Sequence, residues 1–424
     1  MAYGSATASV VSDDSYHAAE RLHHRLQLDL ACESSDAVYC RELVRIRQDL
    51  IELLALPSTT QLVFSASGTD VHHCLAKQLS RQTVLPPRII MIEANETGKG
   101  VAAALKGEGH VELCTLTIRQ ADGQPKPQNQ IDAEAESLVY SAVTSGQTVL
   151  LIVLDQSKTG LIAPSLHCVV RLQQRFKEHL VIFVDACQFR IAAATLRAYL
   201  AQGFLVALTG SKFLTGPSFS AALLSAQPHD IALSQDLPPV NFGLLMRWEI
   251  ALYELQTFQA LPVAEIERFL AQFAEAIDQA LCSHACFEAL PVPKLDRLPL
   301  ITTSQWDHIQ SIFPFLLYHT APKRMPLSTA ETVAIYQQVP ISFQSNDQPA
   351  VATARCQLGQ PVACGSREGI EVSALRLCLS ARLIVNALRH PNQGEIIIAD
   401  ALTVLAKTAW LIHSTEPHHV KSNL

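Results

Sequence analysis

The sequence predicts an α/β protein: a mainly parallel sheet covered by helices, followed by a smaller α+β unit. Three observations carry this. The fully apolar runs Thr148–Leu154 and Leu180–Val184 have the composition of strands buried on both faces. Helix-patterned stretches alternate with such runs, which requires right-handed crossovers between parallel neighbours. Polar clusters follow the strand ends at 65–70, 93–98, 155–160, 185–188 and 209–212, along the edge where open α/β sheets bind ligands.

Composition narrows the class of partner. With 424 residues and 49% apolar content the chain can bury a large core in two or three units. Its 32 basic against 39 acidic residues, net charge -7 and lack of a basic run argue against nucleic acid or membrane and for a small-molecule ligand. Met1 to Val11 shows no signal-peptide pattern, and Ile396–Ile412 is interrupted by Asp400 and Lys407, so a cytoplasmic protein is expected. Eleven cysteines without framework spacing suit reduced thiols. Cys282-Ser-His-Ala-Cys286 lacks a second ligand pair, so no metal is expected.

Taken in order, Ser15 to Leu56 has the spacing of two helices, ended by Pro57. Gln61–Phe64 is a short strand, Ser65–Asp70 a small-residue turn, and Val71–Gln82 an amphipathic helix. That turn offers backbone N–H groups and hydroxyls at a helix N-terminus, suited to a phosphate or to an ordinary N-cap by Ser67 or Thr69. Arg88–Ile92 is the next strand, and the loop after it contains Gly98-Lys-Gly-Val-Ala-Ala103, a possible dinucleotide fingerprint. Ile131–Ser145 and Ser165–His179 read as helices around the two apolar strands. Leu205–Leu208 then leads into Thr209-Gly-Ser-Lys212, where a single lysine stands among hydroxyls and glycines. Long helices follow at Leu244–Thr257 and Val263–Leu281. Leu358–Gly369 reads as a glycine-rich loop before a strand at Ala374–Leu379. The expected organisation is residues 1–59 as N-terminal helices packing with the small domain, 60–265 as the large domain and 266–424 as the small domain.

Three of these features belong together chemically. A phosphate-ready turn at Ser67-Gly68-Thr69, an aspartate ending a buried strand at Asp185, and Lys212 are what pyridoxal 5'-phosphate requires. Their order resembles fold-type I pyridoxal-phosphate enzymes, specifically the class V aminotransferase and cysteine desulfurase superfamily. Asp185-Ala-Cys-Gln188 resembles that family's D-A-x-Q, and Thr209-Gly-Ser-Lys212 with Gly216-Pro217 resembles its lysine segment, although Ser211 replaces a histidine. Ser373-Ala-Leu-Arg-Leu-Cys-Leu379 resembles the strand whose arginine grips the substrate carboxylate.

The resemblance implies a PLP-transferase-like fold with a seven-stranded sheet, Lys212 as Schiff-base lysine and Asp185 on the pyridine nitrogen. It implies cofactor contacts from Ser67, Gly68, Thr69, Ser157, Gln188, Thr209 and Ser211, with Asn95 or Glu96 beside the ring where the family has a histidine. Arg376 would hold the substrate carboxylate, with Lys158 as a further substrate contact. Such enzymes are typically homodimers with a shared site, which Arg247 would then reach. An amino acid would react through a Schiff base and a Cα, Cβ or Cγ carbanion. The position of the desulfurase cysteine falls on Val362, so a specialised biosynthetic lyase or transferase is expected, with a class V aminotransferase as the alternative. From other classes, an NAD-dependent oxidoreductase using Gly98–Ala103 and a non-catalytic pyridoxal-phosphate-binding protein stay open.

Overall fold

The structure is a computed structural model, and it describes residues 1–4, 10–107, 110–226, 240–303, 305–344 and 349–415. The chain opens with β1 (Ala2–Tyr3), α1 (Asp13–Leu30) and α2 (Ser35–Leu53). Ser12 and Ser34 cap the two helices by accepting from Ser15 N and Ala37 N, which satisfies backbone donors that a helix start leaves open. The large unit follows as β2 (Gln61–Ser65), α3 (Gly68–Gln82), β3 (Arg88–Ile92), α4 (Val101–Lys106), β4 (Glu112–Leu116) and α5 (Gln128–Thr144). It continues through β5 (Val149–Asp155), β6 (Ile162–Ala163), α6 (Leu166–Phe176), β7 (Leu180–Asp185), α7 (Ala193–Ala201), β8 (Leu205–Thr209) and β9 (Ala221–Ser225).

The sheet order is β2-β9-β8-β7-β5-β3-β4, with β6 added to β5. β9 is antiparallel to both neighbours and the β8-β7-β5-β3-β4 run is parallel, so β2, β3, β5, β7 and β8 all end on one edge. Strand alternation sorts their side chains between two layers. Ile89, Met91, Leu150, Ile152 and Phe183 meet Val71, Leu75 and Leu79 of α3, while Ile90, Ile92, Leu151, Val153, Ile182 and Val184 face the main core. Asp185 continues the Phe183 parity, which directs its carboxylate to the α3 side.

The second unit comprises α8 (Phe242–Gln259), α9 (Val263–Ser283), β10 (Phe287–Ala289), β11 (Ile312–His319), β12 (Met325–Pro326), α10 (Thr329–Gln338), α11 (Ala350–Thr353), β13 (Gln357–Arg367), β14 (Ile370–Cys378), α12 (Ala381–Arg389) and α13 (Gln393–Thr415). Its sheet runs β1-β13-β14-β11-β10, with β12 on β11. The sequence expectation of a loop at 358–369 is corrected here, because most of that stretch is strand β13. Register shifts between Gly359 and Val362 and between Ala363 and Ser366 absorb its irregular sequence.

The N-terminal helices lie chiefly on α8, where Arg45 pairs with Glu249 at 2.5 Å and Ser12 donates to Glu254 at 2.6 Å. Only β1 joins the small sheet. The α13 helix is long and apolar enough over Gln393–Ser414 to cross a membrane by length and composition. Here it packs on α9, α10, α11 and α12, and its Lys407 is buried, donating to Ile341 O and Ala354 O.

Candidate active site

The edge where the parallel strands end gathers five segments: the Ser67–Thr69 turn, the 93–97 loop, the 156–160 loop, Ala186–Gln188 and the Gly210–Ser220 loop. Ser67 caps α3, accepting from Asp70 N at 3.2 Å and donating to Asp70 Oδ2 at 2.6 Å. Gly68 is required by close approach: a β-carbon there would lie 2.7 Å from Cys187 Sγ. The helix N-terminus therefore sits flush against the segment that follows Asp185. Thr209 Oγ1 donates to Cys187 O at 2.6 Å and ties the end of β8 to the same point. The Thr69 side chain lies over Gly98 and Gly100.

Asp185 is 6% exposed, and its Oδ1 accepts from Cys187 N at 3.1 Å. Its Oδ2 lies 3.5 Å from His72 Nε2. Burial and then Asp185 push the Cys187 thiol well up, while Lys212 pulls the other way. Cys187 therefore lies within electrostatic range of both Asp185 and Lys212. Lys212 is half-buried in the β8–β9 loop, and its side chain makes no hydrogen bond or ion pair among the described residues. Gln188 is buried, and its carbonyl accepts from Phe213 N at 3.3 Å. Ser211, which precedes Lys212, is half-buried.

Arg376 approaches from β14. It is 3% exposed and donates to Gln360 O from Nε and Nη2, at 3.3 and 3.0 Å, and to Lys158 O from Nη1 at 3.2 Å. Lys158 Nζ donates to Asn95 O at 3.1 Å and Ala94 O at 3.3 Å. Burial first, then Arg376 and Lys212, lower the Lys158 ammonium to about 8. Lys158, Lys212 and Arg376 thus converge from three segments on one region.

Two residues expected at the cofactor, Glu96 and Ser157, bond to each other in a buried network. Glu96 is 2% exposed and accepts from Arg119 Nε at 2.6 Å, Ser157 Oγ at 2.6 Å and Thr159 N at 3.2 Å. Burial alone would raise this carboxyl, but Arg119 and the hydroxyl donors outweigh it and hold it below the ordinary value. Its oxygens, and the Ser157 hydroxyl with them, are committed to a buried ion-pair network. Asn95 is the exposed side chain of that loop. Arg247 lies on α8 with its guanidinium 6.0 Å from the Phe219 ring centroid, beside the far end of the Lys212 loop.

Sequence reasoning missed His72. Its signal was positional, since Val71, His72, Leu75, Ala76 and Leu79 form the buried stripe of α3.

No protein-family model matches this sequence, and no curated protein matches it. Solved structures do. The glutamate decarboxylase domain of a diaminobutyrate-pyruvate transaminase and L-2,4-diaminobutyrate decarboxylase from Vibrio parahaemolyticus superposes with a TM-score of 0.60 at 14% identity, covering 97% of this chain and 81% of that one. A NifS-like protein gives 0.54 at 12% identity, over 96% and 99%. A high-resolution structure of SPT with PLP gives 0.52 at 13% identity, over 87% and 77%. The chain has the fold of fold-type I pyridoxal-phosphate enzymes. Both units of this chain are included, since the small sheet bearing Arg376 falls within the coverage of nearly the whole chain.

Proposed function

We propose that this protein is a pyridoxal 5'-phosphate enzyme of fold type I that removes a proton from an amino-acid substrate, as a transferase or lyase. The observation that supports it is the placement of Lys212, unpaired and half-buried, within electrostatic range of the segment that carries the buried Asp185. The residues fit the group. The absence of a side chain at Gly68 leaves the α3 N-terminus against Cys187, so phosphate and ring contacts come from adjoining segments. In this reading Lys212 holds the aldehyde carbon, Asp185 the ring nitrogen and the Ser67–Thr69 backbone the phosphate, with Gln188, Thr209, Ser211 and Asn95 around them.

When bound, the cofactor supplies an electron-withdrawing ring that stabilises negative charge at the substrate Cα. The chain's own residues do the rest. Arg376 receives the substrate carboxylate through N–H groups not taken by Gln360 O and Lys158 O, a fork geometry that lysine lacks. The substrate amine would take the place of Lys212 at the aldehyde carbon, and the lysine amine so freed would take the Cα proton as general base. Lys158 adds a second cation at the carboxylate side.

Persulfide chemistry is disfavoured by the thiols near β13. Val362 pairs with Ala374, while Cys364 is buried and raised to about 11, and Cys356 is buried beside Lys407. This supports a specialised biosynthetic lyase or transferase acting by elimination, replacement or carbon–carbon bond formation. The dinucleotide alternative is weakened because Gly98–Ala103 opens only the six-residue α4. We expect a homodimer, as is common for this fold.

The test is borohydride reduction of the purified protein with pyridoxal phosphate, followed by peptide mass spectrometry. Label on Lys212 supports the reading, and undiminished label in Lys212→Ala sinks it. A panel of amino acids then separates the chemistries: keto acid with an aminated acceptor marks an aminotransferase, cleavage or replacement products mark a lyase or transferase, and an unperturbed spectrum marks a non-catalytic binder.

A further inference from the structure

We propose that His72 is a positioning residue of this site, holding one proton between its Nε2 and Asp185 Oδ2 and thereby fixing the carboxylate that serves the cofactor ring. The inference rests on the reading above for its functional half. Its structural half stands on the hydrogen-bond accounting of one buried imidazole.

His72 is 1% exposed, on the inner face of α3, edge-on to the Phe183 ring at 5.0 Å. Its Nδ1 lies 2.7 Å from Gly68 O. A carbonyl oxygen only accepts, so Nδ1 carries a proton and donates it. Nε2 is buried and makes no formed hydrogen bond, and the polar atom it faces is Asp185 Oδ2 at 3.5 Å. A bare Nε2, itself buried from water, would set a lone pair against a carboxylate oxygen. A proton between them removes that repulsion, and a small approach of the two groups completes a charge-assisted hydrogen bond. Asp185 Oδ1 is already held by Cys187 N at 3.1 Å. His72 therefore restrains the second oxygen, and the same ring grips Gly68 in the phosphate turn. One side chain spans the two ends of the proposed cofactor cradle.

Two measurements test this. Nitrogen-15 NMR of the histidine side chains, assigned with His72→Gln, should show both ring nitrogens of His72 protonated in the wild type. In Asp185→Asn the amide can donate to Nε2, which should lose its proton. A bare Nε2 in the wild type overturns the proposal, and this readout needs no cofactor. The second measurement is titration with pyridoxal phosphate. Glutamine at 72 keeps a donor near the Nε2 position, whereas asparagine keeps one near Nδ1 only. If both variants melt near the wild type, His72→Asn should bind roughly ten-fold more weakly than His72→Gln. Equal affinities would mean a purely structural histidine and overturn the positioning role. Wild-type protein that binds no pyridoxal phosphate while showing the doubly protonated ring refutes the cofactor reading, and the positioning role with it, but upholds the His72–Asp185 proton.

Discussion

Arg376 lies across Gly359: a β-carbon on that glycine would fall 3.1 Å from both Cβ and Nε of the arginine. The register shift begins just after Gly359, and Gln360 O there accepts from Nε and Nη2 of the guanidinium. Glycine and bulge together set the direction of the proposed carboxylate clamp. Gly359→Ala should displace Arg376 and raise KM for the amino acid identified in the panel by roughly ten-fold, the scale of one lost charge-assisted hydrogen bond. Affinity for pyridoxal phosphate should hold. Steady-state kinetics beside a cofactor titration checks this, and an unchanged KM removes Arg376 from the carboxylate.

Lys158 gives a pH signature. Its ammonium is lowered to about 8 in the fold by burial, then by Arg376 and Lys212, against an ordinary value of about 10.4 in the unfolded chain. The unfolded chain therefore binds more protons between these values, and stability rises with pH across that window. Below pH 8 the penalty is fully present. Lys158→Met should raise Tm at pH 7 by roughly 2 °C and flatten the profile from pH 8 to 10.5. A profile identical to the wild type would contradict this.

Glu96 and Arg119 form the opposite case, a buried pair whose loss should cost stability. Glu96→Ala leaves a buried guanidinium unpaired and should destabilise by about 3–5 kcal/mol in urea unfolding. The folded carboxyl is held low, so its contribution is complete above the ordinary carboxylate range and is lost as pH falls through the depressed value. Cofactor affinity should change little, since the Glu96 oxygens are already held by Arg119, Ser157 and Thr159. A large loss of affinity with normal stability would return Glu96 to the cofactor.

Arg190 joins the two units directly behind the lysine. Its guanidinium lies 5.1 Å from the Phe213 ring centroid and donates to Ser311 Oγ at 2.8 Å and Leu379 O at 2.6 Å. Burial lowers it to about 10. Arg190→Ala should cost about 3 kcal/mol by orphaning those acceptors, and it should speed release of pyridoxal phosphate because Phe213 adjoins Lys212. Stopped-flow release after dilution is the check, with an unchanged rate separating the tie from the site.

Most of the large sheet was legible because its strands are apolar on both faces and end in polar clusters, a pattern local to each segment. Strand β13 was not, since Gly359, Pro361 and Gly365 carry the composition of a loop and only pairing with β1 and β14 makes it extended. The pairing of Glu96 was hidden for a similar reason. Its partners, Arg119 and Thr159, stand 23 and 63 residues away, so nothing near Glu96 declares that the carboxylate is engaged. His72 was passed over because a histidine in an apolar helical stripe reads as core, and the parity of Asp185 toward α3 becomes visible only with the sheet assembled.

Tyr3 has a different bearing, on the order of assembly. It is 1% exposed, pairs in parallel with Leu358 and donates from its hydroxyl to Ile397 O at 2.6 Å, 394 residues along the chain. Tyr3 thus finds its hydroxyl partner only after Ile397 has been made, roughly 20 to 80 seconds later at about 5–20 residues per second. The large sheet needs nothing beyond β9, whereas the sheet that carries Arg376 gains β1 as its edge strand only once β13 has been made.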